Sequence, residues 1–157
     1  MWISYAVTTA ALVVVAGIGG KATDIGPWYR ELSKPRWNPP DWVFPVAWTT
    51  IYLFIIASVG GAWNEADESQ RTTLLWLVGF NFIVNTLWSI LFFAMRKPHW
   101  AMVDVVLLWL SILAMMIFFA SINALYTWLL LPYILWVSVA SLLNLSIVRL
   151  NPELSSA

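Results

Sequence analysis

The chain has 157 residues and no net formal charge at neutral pH, and it is 61% hydrophobic against 10% charged. A water-soluble domain of this length cannot hide so much apolar surface, so the composition points to one all-α integral membrane domain. It offers no electrostatic case for nucleic acid. The absence of cysteine excludes disulfides and thiol chemistry, and a single histidine excludes a multi-histidine metal site.

Five segments reach the roughly 20 apolar residues that a bilayer span requires. They cover residues 2–20, 42–63, 73–94, 100–122 and 125–148, and predict a five-helix transmembrane bundle with a long first loop at 21–41. The first, "MWISYAVTTAALVVVAGIGG", has no Lys or Arg and so lacks the basic start of a signal peptide. It reads as an uncleaved span.

The first loop runs into "KPRWNPPDWVFPVAW", residues 34–48, which holds four of the eight prolines and three of the twelve tryptophans. Asn38 is expected to cap a helix whose first turn contains Pro39 and Pro40. Pro35 keeps Lys34 extended. Pro45, a turn later, is expected to kink span two and steer Trp48 and Tyr52. The stretch reads either as a rigid lead-in with interfacial tryptophans or as a preorganised lid over a cavity among helix ends.

Within the spans, polar residues and large aromatics fall on faces. Span two has Trp48 and Tyr52 four apart. Span three has Asn81, Asn85 and Trp88 on nearly one face, and span five has Trp136, Ala140 and Asn144 at four-residue steps. If the faces converge, they line an aromatic cavity with a few amide contacts, suited to a large, flat, apolar ligand. Otherwise the amides bridge helices. Trp2, Trp28, Trp63, Trp100 and Trp128, near span ends, read as interfacial anchors. Ala57 with Gly61, Ser58 with Ala62, Gly79 and Ala140 let helices approach closely, within the bundle or across a dimer face. The few residues around Asn123 must join antiparallel neighbours.

Charge is placed with a bias. Lys21, Arg30, Lys34, Arg36, Arg96, Lys97 and Arg149 share one side of a five-span topology, against Arg71 on the other. This predicts an outside N-terminus and a cytoplasmic C-terminus. Asp104, one turn into span four, suits the helix dipole and is expected to meet Arg96 or Lys97. No ionisable residue lies near the bilayer midplane, which argues against ion-coupled transport. No Ser/His/Asp set, carboxylate pair or phosphate-cradling loop is present. His99, on a short basic loop, reads as solvated or against headgroups rather than as a haem ligand.

The stretch "KPRWNPPDWVFPVAWTTIY", with "NTLW", "FFAMRKPHWAMVD" and "LPYILWVSVASLLNLSIVRLN" further on, resembles the translocator protein family. Its bacterial members are called tryptophan-rich sensory proteins, and its animal members peripheral benzodiazepine receptors. The resemblance covers nearly the whole chain. It implies a five-helix bundle in a bacterial membrane, a homodimer, and a pocket covered by the first loop. It implies porphyrin ligands such as protoporphyrin or haem, with no required cofactor, besides sterols and isoquinoline or benzodiazepine drugs. Carried over by motif, the pocket residues are Trp37, Asn38, Trp48, Asn81, Asn85, Trp88, Leu135, Trp136 and Ala140. Some members resemble light-dependent porphyrin degraders, with Trp48 and Trp136 in the matching positions; passive translocation is a third possibility. The family's sterol motif needs a tyrosine where this chain has Leu145, so the resemblance does not extend to sterol binding through that motif.

Overall fold

The computed structural model describes residues 1–155. Its architecture is helical, with five segments long and apolar enough to cross a membrane: Trp2–Ala22, Val43–Glu65, Glu68–Ala94, Pro98–Ala120 and Ala124–Leu150. Helix α1 is Trp2–Ala22. A short helix α2, Pro27–Glu31, interrupts the first loop; α3 is Val43–Glu65 and α4 is Glu68–Ser89. Helix α5 is Pro98–Ala120, and the last span divides into α6, Ala124–Leu129, and α7, Leu131–Leu150.

The main differences from the expected spans have local causes. Helix α4 starts five residues early because Asp67 and Gln70 form a reciprocal capping box, in which each side chain accepts the other's backbone N–H. It ends in a π-helical turn, Ile90–Ala94, closed by Met95 N–H donating to the Ile90 carbonyl at 2.8 Å. Arg96 then takes a left-handed conformation, φ 54°, and turns the chain into α5. The fifth span breaks at Leu130 because Pro132 has no N–H to continue the ladder.

The proline-rich stretch also departs from expectation. Asn38 does not cap a helix. Its backbone N–H closes one turn on the Pro35 carbonyl, and Val43 N–H closes a second on Pro40. Helix α3 begins only at Val43, so Pro45 is its third residue. The expected kink is therefore not required, because the first helical N–H groups have no intrahelical acceptor to lose.

The helices close a ring in the order α1, α3, α6/α7, α5, α4, back to α1. Spans four and five are adjacent, as the short Asn123 link requires. Helices α3 and α4, though consecutive, touch little. Small residues of span two serve packing inside the chain: Ser58, Gly61 and Ala62 are buried, and the Ser58 hydroxyl donates to the Tyr126 carbonyl at 2.7 Å. Gly79 faces open space. The main core of Leu12, Ile51, Ile55, Leu108, Ile112, Met115, Phe119 and Tyr133 runs along the bundle axis.

A second, smaller core sits at the end carrying the first loop. Tyr29 and Leu32 pack there on Phe92 and Phe93 of the π-turn, with Leu143 and Ile147 of α7. Gly26 N–H bonds the Asp24 carboxylate and Pro27 opens α2, so the loop carries its own helix start. Asn151 joins loop to C-terminus. Its Oδ1 accepts Ser33 N–H at 2.9 Å, and its Nδ2 donates to the Ser33 carbonyl at 2.9 Å. Arg96 lies over the Trp28 ring. The basic regions of the first loop, the α4–α5 turn and the C-terminus thus share one end of the bundle.

Candidate functional site

The first loop roofs a cavity of about 510 Å³ between the ends of α1, α3 and α4. Helix α1 contributes a lean wall, Ala16, Gly19 and Gly20, where the absence of bulky side chains leaves the space open. Helix α3 supplies Phe44, Pro45, Trp48 and Tyr52 at its first turns, α4 supplies Asn85 and Trp88, and the π-turn after it supplies Phe93. Ile25, Tyr29 and Asp41 close it from the loop. The volume falls in the usual range for small-molecule sites, which are mostly apolar with a few placed polar groups.

The rings brace one another. Trp48 contacts Tyr52 at 5.6 Å and Tyr133 at 6.2 Å between centroids, and Trp88 stacks on Phe92 at 5.3 Å. Trp88 Nε1–H donates to Asn144 Oδ1 at 3.1 Å, while Asn144 Nδ2 donates to the Pro98 carbonyl at 2.8 Å. Asn144 therefore fixes the ring plane of Trp88 from behind.

Below the cavity runs a chain of hydrogen bonds. Asn85 Nδ2 donates to the Tyr133 hydroxyl at 2.8 Å, and Tyr133 donates to Asn81 Oδ1 at 3.1 Å. Asn81 Nδ2 donates to Ser111 Oγ at 2.8 Å, and Ser111 donates to the Leu108 carbonyl at 2.7 Å. All four side chains are buried. In a low-dielectric interior, polar groups persist where they are paired.

Of the residues expected at a pocket, Trp48, Asn85 and Trp88 meet at this cavity. Asn81 lies one turn deeper, outside the lining, and is linked to it through Tyr133 and then Asn85. Trp37 is exposed and outside the lining, and Asn38 is half-buried with Oδ1 enclosed and unpartnered. Leu135 and Trp136 line a separate shallow groove with Ala47, Thr50, Ile51, Pro132 and Val139. Phe44 stands between, edge-on to Trp136 at 5.6 Å. Ala140 lines neither space. The stripe Trp136, Ala140, Asn144 does not converge because each four-residue step drifts about 40° around a helix of 3.6 residues per turn. Asn144 faces Trp88, and Trp136 faces away.

Other expectations also change. Asp104 is buried with neither oxygen hydrogen-bonded, so it meets neither Arg96 nor Lys97. His99 is only half-buried, and its Nδ1 is enclosed without a partner. Trp2, Trp100 and Trp128 are exposed, whereas Trp28 and Trp63 are half-buried beneath Arg96 and Arg71. No cluster of metal-ligating side chains occurs among the described residues. In the roof, Lys34 Nζ donates to the Tyr29 carbonyl and sits over the Tyr29 ring. Burial lowers the Lys34 pKa, and burial followed by the nearby Asp41 carboxylate raises that of Tyr29.

Sequence reading missed Tyr133, Phe44, Phe93, Tyr29, Ser111 and Asn151. Tyr133 carried a signal: its phenol is a polar tip set in the apolar run "LPYILW" and needs a partner. Nothing in the sequence marks Asn151 as a latch, because its partner is a backbone 118 residues away.

Comparison with known sequences matches the TspO/MBR family over residues 6–150. The chain is 41% identical over 140 residues to protein CrtK of Rhodobacter capsulatus, covering 87% of this chain and 86% of that one. It is 40% identical over 128 residues to the tryptophan-rich protein TspO of Chlorobaculum tepidum, covering 80% of each. It is 30% identical over 126 residues to the human translocator protein, covering 79% of this chain and 75% of that one.

Proposed function

The chain belongs to the TspO/MBR family of multi-pass membrane proteins, and from that footing we propose that it binds porphyrins and related flat apolar ligands as a membrane sensory protein. The observation that carries the reading is the roofed cavity, whose walls present Trp48, Tyr52, Trp88 and Phe93 around a space of about 510 Å³. Flat rings gain most from such walls through stacking and apolar burial.

Titration of the detergent-held protein with protoporphyrin tests this through tryptophan emission. Saturable quenching is expected. A Trp48→Ala, Trp88→Ala double variant should weaken affinity at least about tenfold, the scale for removing buried aromatic anchors. Trp136→Ala, screened by Phe44, should change it far less. Unchanged affinity in the double variant, with native far-ultraviolet circular dichroism, sinks the cavity as the site.

One observation favours a second reading, light-dependent degradation with dioxygen as oxidant. Trp48 touches both Tyr52 and Tyr133, so an oxidised indole would have phenols beside it as electron donors. Porphyrin absorbance lost under illumination at the protein-free rate would remove that reading.

A further inference from the structure

The hydrogen-bond chain beneath the cavity has a direction, and an atom outside the cavity sets it. A backbone carbonyl accepts and never donates. The Leu108 carbonyl lies 2.7 Å from Ser111 Oγ, so the Ser111 proton must occupy that contact. Ser111 Oγ is then left to accept, and the atom 2.8 Å away must be the Asn81 NH2. That turns Asn81 Oδ1 toward Tyr133, whose hydroxyl must donate to it. Tyr133 can then only accept from Asn85, which fixes Nδ2 on that side. Reversing any member would leave two acceptors face to face or two donors without an acceptor in a site closed to water.

The far end of the chain is Asn85, which lines the cavity. With Nδ2 committed to Tyr133, its Oδ1 accepts no hydrogen bond among the described residues, and it is not among the enclosed unpartnered atoms. It opens on the cavity as an acceptor. Nearby hydroxyls behave differently: Tyr52 and Ser89 also line the space, but a hydroxyl rotates to donate or accept as a ligand requires. The Asn85 amide cannot, because four residues hold its orientation.

We infer that Ser111 and Tyr133 are positioning residues that lock Asn85 as a hydrogen-bond acceptor, so that the cavity selects flat ligands whose buried edge carries an N–H or O–H donor. An edge bearing only acceptors faces the Asn85 oxygen with no proton between them. This rests on the ligand reading above and names the polarity of that ligand's inner edge.

The test uses two uncharged probes that differ by one kind of group: a porphyrin with hydroxypropyl side chains, and its methyl ether. Both are titrated against the full chain by tryptophan quenching. The hydroxyl probe should bind roughly tenfold tighter, the scale of one satisfied against one opposed buried polar contact. Ser111→Ala should bring that ratio toward one although residue 111 does not line the cavity, and Ser111→Thr should restore it. Tyr133→Phe should act like Ser111→Ala, with both probes still bound. A loss of general packing would weaken both probes together and leave the ratio in place. Equal binding of the two probes by the native chain overturns the inference and leaves the porphyrin reading standing. A ratio unmoved by Ser111→Ala in folded protein overturns it as well. Failure of both probes and of protoporphyrin to quench removes the porphyrin reading and this inference with it.

Discussion

Gly60 and Gly61 are adjacent in α3 but would meet different obstacles if given a side chain. A Cβ on Gly60 would lie 2.3 Å from the Tyr5 ring, and one on Gly61 would lie 2.3 Å from the Tyr126 ring. Tyr5 is at the exposed edge of α1 and can swing outward. Tyr126 cannot: its hydroxyl donates to Glu65 at 2.5 Å, and its carbonyl accepts from Ser58. Overpacking a pinned neighbour costs about 1–3 kcal/mol. Gly61→Ala should therefore lower the unfolding free energy in detergent by about that amount, and Gly60→Ala by clearly less. Equal losses from the two would show that Tyr126 is not held as described. Residue chemistry was legible in part. Trp48, Asn85 and Trp88 stood out as polar-capable groups in apolar spans. Ser111 did not, since a serine in a membrane helix commonly bonds its own backbone.

At the level of elements, the first loop is a docked unit with its own helix, its own small core and a two-bond latch at Asn151. Asn151→Ala removes both bonds to Ser33, each worth about 0.5–1.5 kcal/mol. The loop should open more often, and tryptic cleavage after Arg30 and Arg36 should speed up roughly tenfold, since cutting follows the open population. An unchanged cleavage rate would mean that Tyr29 and Leu32 hold the loop unaided. Pro45 makes a contrasting case. In a helix interior a proline costs about 3 kcal/mol, but in the first turn of α3 it costs little. Pro45→Ala should shift stability by less than about 1 kcal/mol, through the unfolded chain. A large gain in stability would restore the kink. Proline count alone misplaced the helix start, because two turns closed by Asn38 and Val43 N–H groups absorb the preceding prolines before the helix begins.

For the whole molecule, the seven basic residues gathered at the loop end predict that this end faces the cytoplasm. The chain has no cysteine, so single introduced thiols report topology cleanly. On sealed cells, an impermeant maleimide should label Ser69→Cys, in the α3–α4 turn region, and spare Glu31→Cys in the loop. The reverse pattern would invert the protein in its membrane. The number of spans and their antiparallel order were readable because apolar length is a direct requirement of the bilayer. Which faces converge was not. Helical drift separates Trp136 from Asn144, and the ring order of the bundle is set by packing partners that sequence spacing cannot name.

The weak contact between α3 and α4 leaves the pair joined to each other at one end, while α4 packs on α5 and α1. Their shared end is stiff: the Asp67–Gln70 box starts α4, and Arg71 Nε donates to the Trp63 carbonyl at 3.1 Å, bridging the two helices. Asn85 and Trp88 sit some 17–20 residues further along α4, about 25–30 Å from that end at 1.5 Å per residue. Over that arm a tilt of only about 5° would carry Trp88 by about 2–3 Å, a displacement opposed by its bond to Asn144 and by the packing of α4 on α5 and α1. The packing of α4 on α5 and α1, together with the bond that ties Trp88 to Asn144, therefore sets how far apart the aromatic walls stand.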